Sequence, residues 1–182
     1  MKKRIIALSL AILSLITCSF ALATSTKEQT ALVKWVIDEY VDEFGRGTGQ
    51  KIVHNDQLVY GTFSNSVVQN AKFGVFVVAD NTDIYLILYE YGRSIVTNPL
   101  SKQNYYYDVA ILDANNKKYN LNGAIAPGDY RLYFDQNDTV INAIKSGAIS
   151  FSITKSGSKI NRYNFSIDDT NDFANLYSQV KP

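Results

Sequence analysis

Few residues beyond position 23 could do chemistry. There is one histidine, His54, and no cysteine. A serine hydrolase needs a hydroxyl, an imidazole and an acid brought together. Ser64, Ser66, Asp42 and Asp56 could supply the missing parts around His54. However, "GTFSNS" lacks the Gly-x-Ser-x-Gly elbow that exposes a nucleophile. The simpler expectation is a strand carrying Gly61 and Phe63, followed by a Ser64-Asn65-Ser66 turn whose side chains bond nearby backbone. One His without Cys does not make the nitrogen and sulfur set that zinc takes. Asp38, Glu39, Asp42 and Glu43 offer oxygens for a harder cation, but not in the Asp-x-Asp-x-Asp-Gly order of a calcium loop. An exposed acidic face, with no metal and no cofactor, is the expectation. Asp42 and Glu43 are neighbours, so on a strand they point to opposite faces. That is a poor start for a glycosidase, which sets two carboxyl groups across one bond.

The glycines next to those acids do not cradle phosphate. "GRGTGQ" is not Gly-x-x-x-x-Gly-Lys-Ser/Thr. "VDEFGRGTGQ" is expected to be a connection, with Gly45, Gly47 and Gly49 free to turn and with Val41 and Phe44 anchoring its ends in the core. The second acidic run, "SIDDTND", is expected to lead into and cap a last helix.

The elements that would hold these residues follow from alternation. "KFGVFVVAD" puts Phe73, Val75, Val77 and Ala79 on one face, and "DIYLILYEYG" does the same for Ile84, Leu86 and Leu88. Asp80-Asn81-Thr82-Asp83 turns between them, which predicts a hairpin. Tyr105, Tyr107, Val109 and Ile111 alternate before an Asn115-Asn116 turn. Ile149, Phe151 and Ile153 alternate, Ser156-Gly157-Ser158 turns the chain, and Ile160, Tyr163, Phe165 and Ile167 return with a register break near Asn161. Tyr130 to Phe134 forms another short strand. Asp138 is placed to cap a helix over "TVINAIKSG" that stops at Gly147. "FANLYSQV" has helical spacing after Asn171 or Asp172. Residues 28–44 fit a helix and a strand equally. The fold class is all-β: a single sandwich or partly closed barrel of eight or nine short strands, with two short helices near the C-terminus.

The beginning of the chain has its own signature. Lys2, Lys3 and Arg4 precede an apolar run, and Ala21-Leu22-Ala23 closes it. This is the layout of a secretory signal, too short for a comfortable span. Residues 1–23 are therefore expected to be removed, leaving residues 24–182 as one β-rich domain in the periplasm or outside the cell. Leu15-Ile16-Thr17-Cys18 offers the alternative of a lipoprotein anchored at Cys18. The chain has 18 basic and 17 acidic residues, and losing the signal tips this slightly acidic. Net charge of that size is no footprint for nucleic acid or an anionic membrane. No later apolar run is long enough to span a bilayer.

"KWVIDEYVDEFGRGTGQKIV", "YGTFSNSVVQNAKFGV" and "LYEYG" resemble the signature of an uncharacterised group of exported bacterial β-rich proteins. The resemblance covers residues 34–92 and implies kinship, export and a β-rich body, without a chemistry. The tail from Ile141 to Val180 is similar to the end of invasion-associated locus B family proteins, in which a short helix, a hairpin and a closing helix follow in that order. Those proteins are periplasmic or surface β-sandwiches. Their cysteines are absent here and the front half differs, so their role does not carry over.

Tyrosine remains the best functional hint, since it combines apolar area with a polar tip. Tyr85, Tyr89 and Tyr91 are expected to share one sheet face, and Tyr106 to point away from the core between Tyr105 and Tyr107. With Asp42 and Glu43 these are the candidate binding residues. The expected function is non-covalent contact with an envelope or secreted protein or another envelope component. A small periplasmic hydrolase using His54 is the alternative.

Overall fold

The computed structural model describes residues 33–99 and 102–180, and these lie in one compact unit. The signal segment, with Cys18, falls outside the described residues. Alternation governs what is described. In β4 (Ala71–Ala79) and β5 (Ile84–Glu90), Val75 faces Leu88, Val77 faces Leu86 and Ala79 faces Ile84 across an antiparallel ladder, and all six are buried. Asp80 makes the turn between them, its Oδ1 accepting from the main-chain N–H groups of Thr82 and Asp83 at 2.8 Å. Asp113 does the same for β7 (Tyr105–Leu112) and β8 (Lys118–Ile125), accepting from Asn115 and Lys117.

Closure follows from two further pairings. β5 also pairs with β9 (Arg131–Phe134), and β11 (Arg162–Ile167) pairs with β3 (Val59–Ser64). With β10 (Ile149–Lys155) between β7 and β11, the order β3-β4-β5-β9-β8-β7-β10-β11 returns to β3. This is a closed eight-stranded antiparallel barrel, which corrects the sandwich expectation and takes its barrel alternative to full closure. An amphipathic strand buries one face equally well in either architecture, so alternation alone does not choose between them.

A barrel of eight strands is just wide enough to be filled by side chains. Phe151 stacks on Phe165 with ring centroids 4.6 Å apart, and Phe73 meets Phe165 at 6.0 Å. Gly61 makes room for them: a Cβ there would stand 2.2 Å from the Asn164 carbonyl oxygen and 2.7 Å from Phe73.

One end is closed by helices. α1 (Asn137–Lys145) links β9 to β10 and buries Val140, Ile141, Ala143 and Ile144. Asp138 does not cap it. The cap position is Gln136, and Asp138 lies in the first turn, where its charge favours the helix N-terminus. The helix ends before Gly147, whose φ of +127° suits glycine. α2 (Phe173–Ser178) packs Phe173 edge-on to Trp35 at 4.7 Å, and the Trp35 indole N–H donates to the Asp169 carbonyl.

Trp35 begins β1 (Trp35–Val41), so the core of the ambiguous segment is strand, and residues 42–44 belong to the turn that follows. β1 and β2 (Gly47–Asn55) form a ribbon whose ladder with the barrel is short, Val53 and His54 standing opposite Ala79 and Val78. β3 takes the rest of the same edge of β4, from Ala71 to Val75. Fully buried Asn55 bridges the handover. Its Nδ2 donates to the Val75 carbonyl at 3.1 Å and to Gln57 at 2.6 Å, while the Val77 N–H donates to its Oδ1 at 2.6 Å. A short strand, β6 (Ser94–Ile95), adds to β5.

Two other expectations change. Ile160 lies in the β10–β11 turn and is half exposed, because β11 starts only at Arg162. Val41 and Phe44 are 64% and 72% exposed and do not anchor the ribbon tip in the core, since the ribbon projects past the barrel wall.

Asn55→Leu should cost about 3 kcal/mol or more, because it leaves buried β4 main-chain groups unsatisfied. Urea unfolding measures this, and a loss under 1 kcal/mol would remove the bridging role. Gly61→Ala should cost about 2 kcal/mol or more through the clash with β11, read as a lowered Tm.

Candidate binding surface

The ribbon tip uses its acids locally. Asp42 Oδ1 accepts from the N–H groups of Phe44 and Arg46 at 2.9 Å, and Oδ2 meets the Arg46 guanidinium at 2.8 Å. The Arg46 main-chain bond leads in holding this carboxyl below its ordinary range. Glu39 reaches across to the Gly49 N–H and lies against Gly47, where a Cβ would collide with its carboxylate. Glu43 is exposed. Among the described residues, no group of three or more His, Cys, Asp or Glu is placed to hold a metal ion.

His54 faces two oxygens: Asp38 Oδ2 from Nε2 and the Asn55 carbonyl from Nδ1, each at 2.8 Å. Ser64 is not near it. His54 stands opposite Val78, whereas Ser64 follows Phe63, which stands opposite Ala71. Seven residues of β4 separate those positions, on the order of 20 Å. The Ser64 hydroxyl instead accepts from the Asn70 N–H at 3.1 Å.

The tyrosines fall into separate places. Tyr85 is 5% exposed. Its hydroxyl lies 3.1 Å from that of Tyr40, and its ring 5.3 Å from Tyr133 and 5.7 Å from the Arg131 guanidinium. Arg131 is itself fixed by Asp129 through two bonds of 3.1 Å. This cluster fastens the ribbon to the outer wall. Burial pushes the Tyr133 phenol up to about 12, and burial with the Tyr40 bond raises that of Tyr85. Tyr89 is half-buried beside Phe76. Tyr91 leaves the shared face, because its φ of +47° turns the chain. Its ring meets Phe63 at 5.2 Å, and its hydroxyl accepts from Asn65 Nδ2 at 2.9 Å. Tyr106 is 58% exposed on the outer wall.

Tyr91 sits at the end of the barrel opposite the helices. Strand direction brings together there the loops β3–β4, β5–β6, β8–β9 and β10–β11. Inside this end, Glu90 occupies the next inward position after Leu88. The Tyr163 hydroxyl donates to Glu90 Oε1 at 2.6 Å. Burial, aided by the Glu90 charge, pushes the Tyr107 phenol up to about 12, and burial with the Glu90 hydrogen bond raises Tyr163. Lys155 places its ammonium 3.7 Å from the Tyr105 ring centroid.

The rim outside is apolar and basic. Val67 (81% exposed), Tyr91 and Ile160 come from three neighbouring loops, and Arg93, Lys159 and Arg162 are exposed beside them. At the helix end Asp135, Asp138, Asp168 and Asp172 are exposed, offset in part by Lys117, Lys118 and Lys145. Net charge conceals this separation. In antiparallel strands successive turns alternate between ends, and summing the charges of alternate turns would have exposed it. Elsewhere on the wall, short Ala110, Ser150, Ser152 and Ser166 floor a shallow depression of about 540 Å³.

Comparison with family models, curated proteins and solved structures finds no match to this chain. No helix among the described residues is long and apolar enough to cross a membrane.

The buried phenols set an alkaline limit. Unfolded tyrosine ionises near 10, whereas Tyr107 holds its proton to about 12. Below pH 10 both states are protonated and the contribution is intact. Above it the unfolded chain ionises first, so stability falls as pH rises toward 12. Urea midpoints at pH 8, 10 and 11 should show this decline, and a Tyr107→Phe, Tyr163→Phe variant should have a shallower one. An equal slope in that variant would refute the assignment.

Proposed function

We propose that this is an exported, non-enzymatic binding protein of the bacterial envelope, and that its contact surface is the barrel end that carries no helix. The observation behind this is where apolar surface is left in water. Of the ten exposed large hydrophobics among the described residues, six (Val67, Tyr91, Ile95, Tyr106, Tyr130 and Ile160) lie at or near that end, on loops and strand ends held by a packed barrel, whereas Val41 and Phe44 sit at the ribbon tip and Tyr60 and Leu112 lie apart. Loops on a rigid scaffold are where binding residues concentrate. The signal-like residues 1–23 and the resemblance to exported β-rich proteins support the location. Tyr91 and Tyr106 keep their proposed binding role. Tyr85 is better suited to holding the ribbon.

The close His54–Asp38 pair favours one rival, a small hydrolase using His54. His54→Ala with the fold intact separates the two, since loss of a hydrolytic activity would favour the rival.

Photo-crosslinking in cells tests the surface. A crosslinking residue at Val67 or Ile160 should give a discrete adduct with an envelope component, and one at Asn142 on α1 should not. Adducts only from Asn142, or from none of the three, would overturn the assignment of this end.

A further inference from the structure

We propose that the open end docks on an anionic lipid surface, an inference that rests on the binding reading above. Three features of the rim argue for lipid. First, its apolar side chains come from separate loops: Val67 on β3–β4 and Ile160 on β10–β11 stand singly, and Tyr91 after β5 is exposed on one side while its ring rests on Phe63 and its hydroxyl on Asn65. β5, β4, β3, β11 and β10 are consecutive around the barrel, so these loops form one continuous arc. Single protruding side chains can enter between headgroups, and an aromatic ring with a polar tip suits the membrane–water interface.

Second, the charge around those tips is basic and exposed. Arg93 lies beside Tyr91, Lys159 beside Ile160, and Arg162 opens the strand that follows. Basic residues near an anionic leaflet gain attraction that decays within a Debye length. Of the nearest acids two are turned away or paired with a cation, and exposed Asp108 keeps its charge. Glu90 accepts from Tyr163 inside the barrel, Asp129 binds Arg131, and Asp108 accepts from Ser156.

Third, the opposite end is acidic. It carries Asp135, Asp138, Asp168 and Asp172, and the ribbon tip adds Glu43 beside exposed Phe44. An anionic surface would repel that end and attract the open one, so the field alone orients the barrel. Phe44 is more exposed than Ile160, but the Arg46 guanidinium 5.0 Å from its ring is paired to Asp42, which leaves Glu43 as the unpaired charge beside it.

The test uses the exported form purified from cells, mixed with sedimenting vesicles of neutral phosphatidylcholine alone or with about 30% phosphatidylglycerol at about 0.1 M salt. Binding should require the anionic lipid and weaken as salt rises. Arg93→Gln, Lys159→Gln and Arg162→Gln together should reduce it about tenfold or more, and Val67→Ser with Ile160→Ser should reduce it independently. Asp135→Asn with Asp138→Asn should not weaken it. All these positions are exposed, and urea unfolding confirms that each variant is folded. Equal binding to both vesicle types, or full binding by the triple variant, would overturn the proposal. So would photo-crosslinks from Val67 and Ile160 to a protein or an acidic glycan with no vesicle binding, although the broader binding reading would then survive. Absence of both vesicle binding and crosslinks would sink both.

Discussion

The junction of the ribbon with the barrel wall depends on one amide, that of Asn55. β2 and β3 compete for a single edge of β4, and the main chain between them cannot complete the ladder while it changes course. Asn55 completes it with a side chain that carries both a donor and an acceptor, as the Val75 carbonyl and the Val77 N–H require. No apolar residue could do this, and a carboxylate would offer acceptors where a donor is needed. The arrangement lets the ribbon leave the wall while β4 remains bonded along both edges. The Tyr40, Tyr85 and Arg131 cluster then works as a second attachment farther along the ribbon.

The two ends of the cylinder have different chemistry for the same topological reason. Every strand is antiparallel to its neighbours, so each turn returns the chain to the opposite end. The helical insertions fall after β9 and β11, and both of those strands finish at the acidic end. Apolar helix faces therefore close that end, while the other is finished by tyrosines around Glu90 and by loops. A binding surface made of loops over a packed interior has firm footing, because Phe63 and Tyr163 beneath it are buried.

Much of this was legible in the sequence, and the limits are physical. Period-two alternation marked β4, β5, β7, β10 and β11, and Asp/Asn or Ser-Gly-Ser turn residues marked their hairpins, because both are local properties. Closure was not legible, since the pairings of β5 with β9 and β11 with β3 join distant segments. The tyrosine face was misjudged at a single bond: alternation groups Tyr91 with Tyr85 and Tyr89, and the positive φ at Tyr91 ends the alternation. Ile160 and Phe44 were expected inside on hydrophobicity alone, whereas the turn and the ribbon carry them outward. The basic rim was missed because charge was summed along the chain and not by end.

The pairing of β3 with β11 has a further consequence for how the chain matures. β3 is made well before its neighbour on one side, β11, which is the last strand among the described residues. Until β11 arrives, β3 and β10 each present an unpaired edge, and such edges invite pairing with other chains. The cylinder therefore has no closed partial form. A chain stopped short of Arg162 is an open sheet rather than a smaller barrel, and the cylinder closes only once β11 has been made.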